Sequence, residues 1–335
     1  WNVDRMLDAL AASLDYFQEA FGPYPFDHVR IVEFPGYATF AQAFAGTVPY
    51  SETYGFIADF RDPEAFDHVT GTTAHELAHQ YWAHQVRAAD MQGAELLSET
   101  LAQYSAMMMV TKLRGEDQIR RHLQISLDNY LAWRAAAGGK EPPLYRTDGQ
   151  NWIAYQKGSL AMYLLQKRIG EDAVNRALRR LLERYRFQNA PYPRSTDLVD
   201  AFRAEATTSE HQALITDLFE RVVLYDLRAG EPTAQQRPDG RWDVTLPVTA
   251  RKVVVVDGNE TEEPMDEQIE IGLFASLPGL SVFDSSHVYL MERHRIRSGE
   301  QVLQLVTDRK PSFAGVDPYN FYIDRRSRDN IAAVK

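Results

Sequence analysis

The sequence predicts an α+β fold. A small mixed sheet and a mostly helical body occupy residues 1–224, and a small β-sandwich with a C-terminal strap occupies 225–335. Three observations point to it. From about residue 65 to 224, apolar residues recur every three to four positions. After about residue 225 the pattern turns into short strand-like runs separated by Gly, Pro and Asp, such as "KVVVVDG" and "EQIEIGLFAS". Before residue 65, "HVRIVEF" (28–34) and "GFIADF" (55–60) read as strands, flanking an aromatic, turn-rich stretch with a further strand in its middle. A chain of 335 residues is long enough for two or three domains.

Each element follows from the local pattern. Residues 2–21 form an amphipathic helix stopped by "FGPYPF". Helical periodicity then runs through 68–86, 94–113, 115–133, 151–169, 171–187, 195–206 and 209–225, with Ser195 and Ser209 at N-cap positions. In the last third, "RWDVTLPVT", "KVVVVDG", "EQIEIGLFAS", "HVYLMERHRI" and "QVLQLVTDRK" read as separate strands. The tail "PSFAGVDPYNFYIDRRSRDN" is too aromatic to be disordered and reads as an ordered strap.

Composition narrows the function. Net charge is −11, from 47 acidic against 36 basic residues, which argues against nucleic-acid binding and fits a soluble enzyme. There is no cysteine, so disulfides and thiolate metal sites are excluded, and any zinc must be held by His, Asp or Glu. The longest apolar runs are too short to span a bilayer. The chain starts "WNVDRML", without an initiator methionine, and reads as part of something longer.

The chemistry centres on "TTAHELAHQYWAH" (72–84). On a helix His75 and His79 project from one face, one turn apart, so that two imidazoles can bind one zinc, with Glu76 beside them as a proton acceptor. His84, five positions past His79, points about 140° away on a helix and drops out. Catalytic zinc usually keeps three protein ligands. In "AELLSETLAQY" the candidates are Glu95 and Glu99. Glu99 shares a face with Ala102, Gln103 and Ala106, a seam of small or neutral side chains, whereas an acid at Glu95 suits a helix start in any case. Glu99 is therefore favoured.

"HELAHQYW" followed by "LLSETLAQY" resembles the gluzincin zinc aminopeptidases, the family of aminopeptidase N and leukotriene hydrolase. The resemblance implies a thermolysin-like catalytic domain, and one zinc held by His75, His79 and Glu99 with Glu76 as general base. Nineteen residues separate His79 from Glu99, one more than the family's eighteen, which an insertion in "RAADMQGA" would absorb. "PYSETYGFI" (49–57) stands where the family has its GAMEN segment, which makes Glu52 the anchor for a substrate's free amino terminus. "AYQKGSLAMYLL" (154–165) is similar to the family's YEKG segment, which makes Tyr155 the donor to a developing oxyanion. "HQYWAHQV", "LLSETLAQYSA", "VPYSE" and "AGVDPYNFYIDRRSRDN" further resemble the peptidase domain attached to bacterial ABC-type permeases, which implies a membrane-associated parent protein. The expected function is a zinc aminopeptidase acting on peptides with a free amino terminus. Two alternatives stay open: a gluzincin endopeptidase, and a transporter-linked peptide-binding module with little turnover.

Overall fold

The computed structural model describes residues 1–62 and 64–335. The fold is α+β, and the chain divides into two compact units, one of 1–115 with 142–220 and one of 116–141 with 221–335.

In the first unit, helix α1 (Val3–Phe21) buries Met6, Ala9, Leu10, Phe17 and Phe21, one apolar stripe at helical spacing. Strand β1 (Arg30–Phe34) runs parallel to β2 (Thr47–Ser51), in register from Arg30↔Thr47 to Phe34↔Ser51. Residues 40–44 fold back along the other edge of β2, with antiparallel bridges Ala41↔Tyr50 and Phe44↔Thr47. The helical body holds α2 (His68–Ala78) and α3 (Leu101–Arg114). After an excursion that carries α4 (Ile119–Ala136) into the second unit, it continues with α5 (Gly158–Ile169), α6 (Glu171–Tyr185), α7 (Ser195–Glu205) and α8 (Ser209–Ile215).

The structure departs from the sequence expectations in ways with clear causes. Residues 55–60 are not a strand. Glu52–Phe56 closes as a π-helical turn, and the amides of Ile57 and Ala58 bond back to the carbonyls of Glu52 and Gly55. The alternation that suggested a strand is real, since Tyr54, Phe56, Ala58 and Phe60 all pack on the cluster of Met6, Val48, Tyr50 and Val69, but a loop makes those contacts. The helix expected over 68–86 ends at Ala78, because the following amides of Gln80 and Tyr81 tighten to partners three residues back and Ala83 takes φ 149°. Ser195 and Ser209 are first helical residues rather than caps, and for α8 the capping oxygen comes from Thr208, which accepts from the His211 amide.

The second unit contains two sheets. One is built around β5 (Trp242–Val256), which pairs with β3 (Val222–Ala229), β4 (Thr233–Gln236), β6 (Asn259–Glu263) and β9 (Gly299–Thr307). The other has the order β11 (Ile331–Ala333), β10 (Phe313–Val316), β7 (Asp266–Phe274), β8 (Val288–Arg297). The two strands expected at 241–249 and 252–258 are one continuous β5. Pro247 does not break it, because its missing N–H falls between the stretches paired with β4 and β3, while its carbonyl accepts from Gly230. Asp257 and Gly258 both have positive φ, the requirement of the two-residue turn that joins β5 to β6.

Helix α4, expected within 1–224, packs instead with this unit. Ile119, Leu123 and Leu127 are its buried stripe, and Gln124 accepts from Asn320 Nδ2 at 2.6 Å. The C-terminal strap is ordered by two buried carboxylates. Asp317 accepts from the amides of Phe321 and Tyr322 at 2.9 and 3.0 Å, and Asp324 from those of Leu227 and Arg326 at 2.9 and 2.8 Å.

Burial raises the Asp324 carboxyl from 3.8 to about 7. The folded state therefore holds a proton that the unfolded chain releases above pH ~4, so this group's contribution to stability is full below ~4 and is lost as pH rises through about 7. The expected outcome is that the unfolding midpoint of the native chain falls between pH 4 and 8 relative to that of Asp324→Asn, which cannot titrate. Thermal melts at matched ionic strength read this, and parallel midpoints would refute it.

Candidate metal centre

The Asp67 side chain caps α2 by accepting from the Thr70 amide at 3.1 Å, and helical spacing then stacks His75 and His79 on one face. His75, Glu76 and His79 are all buried. The two Nε2 atoms lie 3.1 Å apart, with the rings perpendicular at 89°. His79 Nδ1 is 2.9 Å from the Trp82 carbonyl, which can only accept, so Nδ1 carries a proton and Nε2 is the nitrogen turned toward His75 and Glu99. The early end of α2 creates this contact, since the turn after Ala78 brings the Trp82 carbonyl round to the ring.

Glu99 comes from the next helical stretch. Its Oε2 is 3.4 Å from each Nε2, buried, and without a hydrogen-bond partner among the described residues. These three ligand atoms form the group among the described residues able to hold a metal ion. Their separations of 3.1, 3.4 and 3.4 Å match the edge of a tetrahedron with metal–ligand bonds of about 2.0–2.1 Å, which is ~3.3–3.4 Å. A set of imidazole nitrogens and a carboxylate with no thiolate suits zinc. Glu95 lies outside the group. Its Oε1 accepts from the Gly149 amide at 3.2 Å. His84 also lies outside, with Nε2 3.3 Å from the Ala43 carbonyl.

Tyr155 stacks on His75, centroids 5.5 Å apart and planes at 21°. Burial, reinforced by the neighbouring Glu99 carboxylate, holds its hydroxyl well above the usual phenol range, so it stays a proton donor. Burial likewise pushes the Glu76 carboxyl up.

Glu52 begins its π-helical turn directly after β2. That turn rests on the first half of α2, with Tyr54 Oη 3.3 Å from Thr72 Oγ1 and His68 Nε2 2.9 Å from the Tyr54 carbonyl. Glu52 is half-buried there and outside the metal-holding group.

Glu52, Glu99 and Tyr155 share a local feature that residue types did not reveal. Each lies in a π-helical turn, respectively Glu52–Phe56, Leu96–Thr100 and Ile153–Lys157. Such turns are one-residue bulges that re-aim side chains and recur at functional sites. The last two are locked together at adjacent positions. Thr100 Oγ1 donates to the Ala154 carbonyl at 2.7 Å, and a Cβ on Gly158 would come within 2.5 Å of that same oxygen. Only glycine allows the two segments to approach so closely. One contributor escaped sequence reading: the Trp82 carbonyl, a main-chain atom with no residue signature.

Residues 5–221 match the model of the peptidase family M1 domain. Aminopeptidase 2 of Candida albicans is 27% identical over 275 residues, covering 79% of this chain and 28% of that protein. Human endoplasmic reticulum aminopeptidase 2 is 25% identical over 193 residues, 55% of this chain and 20% of that protein. The chain thus spans under a third of the length of these relatives. Among solved structures, an M1 zinc metallopeptidase variant from Deinococcus radiodurans bound to a Tyr-Ser-Ala substrate aligns at 21% identity with a TM-score of 0.48, over 63% of this chain and 43% of that one.

The geometry sets an expected order for zinc affinity. Glu99→Ala should bind zinc far more weakly than the native chain, beyond the ~10–100-fold loss typical of a missing outer-shell partner, whereas Glu95→Ala should stay near native. Gly158→Ala, by prising apart the two π turns, should weaken binding while leaving all three ligands present. Competition titration against a chelating dye measures all three; native affinity in Glu99→Ala with loss in Glu95→Ala would reassign the ligand.

Proposed function

This chain belongs to the M1 peptidase family, and from that premise we propose that it is a zinc aminopeptidase releasing N-terminal residues from peptides. The observation that carries the reading is the convergence of His75, His79 and Glu99 within bonding reach of one ion, with Glu76 between the two imidazoles in sequence and Tyr155 stacked against one of them.

His75, His79 and Glu99 would hold one zinc per chain. When bound, zinc supplies Lewis-acid chemistry: it acidifies water and polarises a carbonyl. Glu76 takes the proton from the attacking water on its carboxylate and returns it to the leaving amine. Its burial suits that task, because a carboxyl pushed upward is a stronger base than an exposed one. Tyr155 Oη donates to the oxygen on which negative charge develops. Glu52 pairs with the substrate's α-ammonium and so places the scissile bond one residue in from the end. Its position on a turn packed against the histidine-bearing helix supports that role.

Two alternatives remain distinguishable. An endopeptidase would not need the Glu52 anchor, and a binding module would keep the metal site without turnover. The likeness of "VPYSE" and "AGVDPYNFYIDRRSRDN" to permease-linked peptidase domains supports the further proposal that the parent polypeptide carries a membrane permease region. Among the described residues, no helix is long and apolar enough to cross a membrane.

Turnover of an aminoacyl-amide panel by the zinc-loaded chain tests the reading. Glu76→Gln should retain zinc and lose about 10²–10⁴-fold in kcat. Tyr155→Phe should lose on the order of 10²–10³-fold, the worth of one oxyanion donor. The native enzyme should prefer a free peptide to its N-acetylated form, and Glu52→Gln should abolish that preference. Equal cleavage of the two peptides would favour the endopeptidase, and zinc-replete protein without turnover the binding module.

A further inference from the structure

His68, Thr72, His75 and His79 follow one another at steps of four, three and four, so they share one face along α2 and its C-cap. The last two turn their Nε2 atoms toward Glu99. The first two hold Tyr54: His68 Nε2 lies 2.9 Å from its carbonyl, and Thr72 Oγ1 lies 3.3 Å from its hydroxyl. The π turn of Glu52–Phe56 thus lies along the same stripe of α2 that bears the candidate zinc ligands.

The exit of that turn is held by Asn2. The Asn2 carbonyl accepts from the Met6 amide at 3.0 Å, which makes this residue the N-cap of α1. Asparagine is favoured there because its side-chain oxygen can cap a first-turn amide. The Asn2 side chain makes no such bond. Its Nδ2 donates instead to the carbonyls of Gly55 at 2.8 Å and Ala58 at 2.9 Å, and the Asn2 amide donates to the Phe56 carbonyl at 3.2 Å. The turn closes on itself through the Ile57 amide on the Glu52 carbonyl and the Ala58 amide on the Gly55 carbonyl. Gly55 permits this approach, since a Cβ there would fall 2.4 Å from Tyr50 Cε1 and 2.5 Å from Met6 Cε.

We propose that Asn2 is a positioning residue for amine recognition: its carboxamide clasps the Glu52 turn against the ligand-bearing face of α2 and so sets the preference for substrates with a free amino terminus. This rests on the reading of Glu52 as the amine anchor. The residue type is specific. Asn2 is buried, and its Nδ2 has one proton for each of the two carbonyls. Aspartate would face those carbonyls with no proton between them, and serine could answer only one, leaving an acceptor unpaired in the interior.

The test uses Asn2→Ser and Asn2→Asp, which both keep a good capping side chain for α1, so that where one variant does not fold the other decides. Both should hold near-native zinc. On a free peptide kcat/KM should fall about tenfold, mostly through KM, while on its N-acetylated form it changes less than about twofold. An equal loss on the two peptides overturns the proposal, because a merely structural role lowers both, and so does an unchanged preference. If Glu52→Gln keeps the native preference, the anchor reading falls separately. The clasp is then judged by amide hydrogen exchange at Ile57 and Ala58: faster exchange in Asn2→Ser than in the native chain supports it, and equal rates overturn it.

Discussion

Three ligand atoms, two imidazole nitrogens and a carboxylate oxygen, held within 3.1–3.4 Å of one another are the constraint on which the centre of the first unit depends. Positive charge among them, a proton on His79 or a metal ion, favours the arrangement, and against burial the Glu99 carboxylate accordingly raises His79 while the two imidazoles hold Glu99 well below the usual carboxylate range. The protein forces them together with stiff parts. Helical pitch sets one edge of the triangle. The carbonyl of Trp82 fixes the protonation and rotation of one ring, and the contact of Thr100 with Gly158 sets where Glu99 stands relative to Tyr155. Each is a main-chain or small-residue contact, so the site's precision comes from backbone approach more than from the ligands themselves.

That reliance explains why some of the molecule was legible in its sequence and some was not. Two histidines and a glutamate at helical spacing state their own geometry, because one turn of helix is a fixed ruler. The packing of Glu99 rather than Glu95 toward them was also readable, since Ala102 and Ala106 mark the seam. The stop of α2 at Ala78 was not readable, because the apolar periodicity continues through Trp82 to Val86 while the backbone leaves the helix. The π turns were equally silent. A one-residue bulge changes the ladder of main-chain bonds without changing which side chains are apolar.

Beyond the site, the same division holds. The change from helical to strand periodicity near residue 225 locates the sandwich, and Asp257-Gly258 announces its hairpin. Residues 54–60 show the opposite case. An alternating pattern records which side chains face a core, and a loop laid along α1 and β2 satisfies it as well as a strand does. Helix α4 shows a second limit, for amphipathic spacing reveals that a face is buried but not which unit buries it.

The π turn at Leu96–Thr100 makes the chain unequally tolerant of insertion and deletion around one carboxylate. The 87–93 loop is itself pinned, by the Ala89 amide on the Pro193 carbonyl and the Gly93 amide on the Thr147 carbonyl, so a residue gained or lost there has to fit between those two bonds. A residue lost inside the turn would let the main-chain ladder revert to α-helical phase, rotating the two flanking stretches against each other by about 100°. The small-residue seam of α3 and the carboxylate would then no longer face the same way. A change of spacing between the second histidine and Glu99 is therefore costliest inside the turn, where it rotates the carboxylate itself.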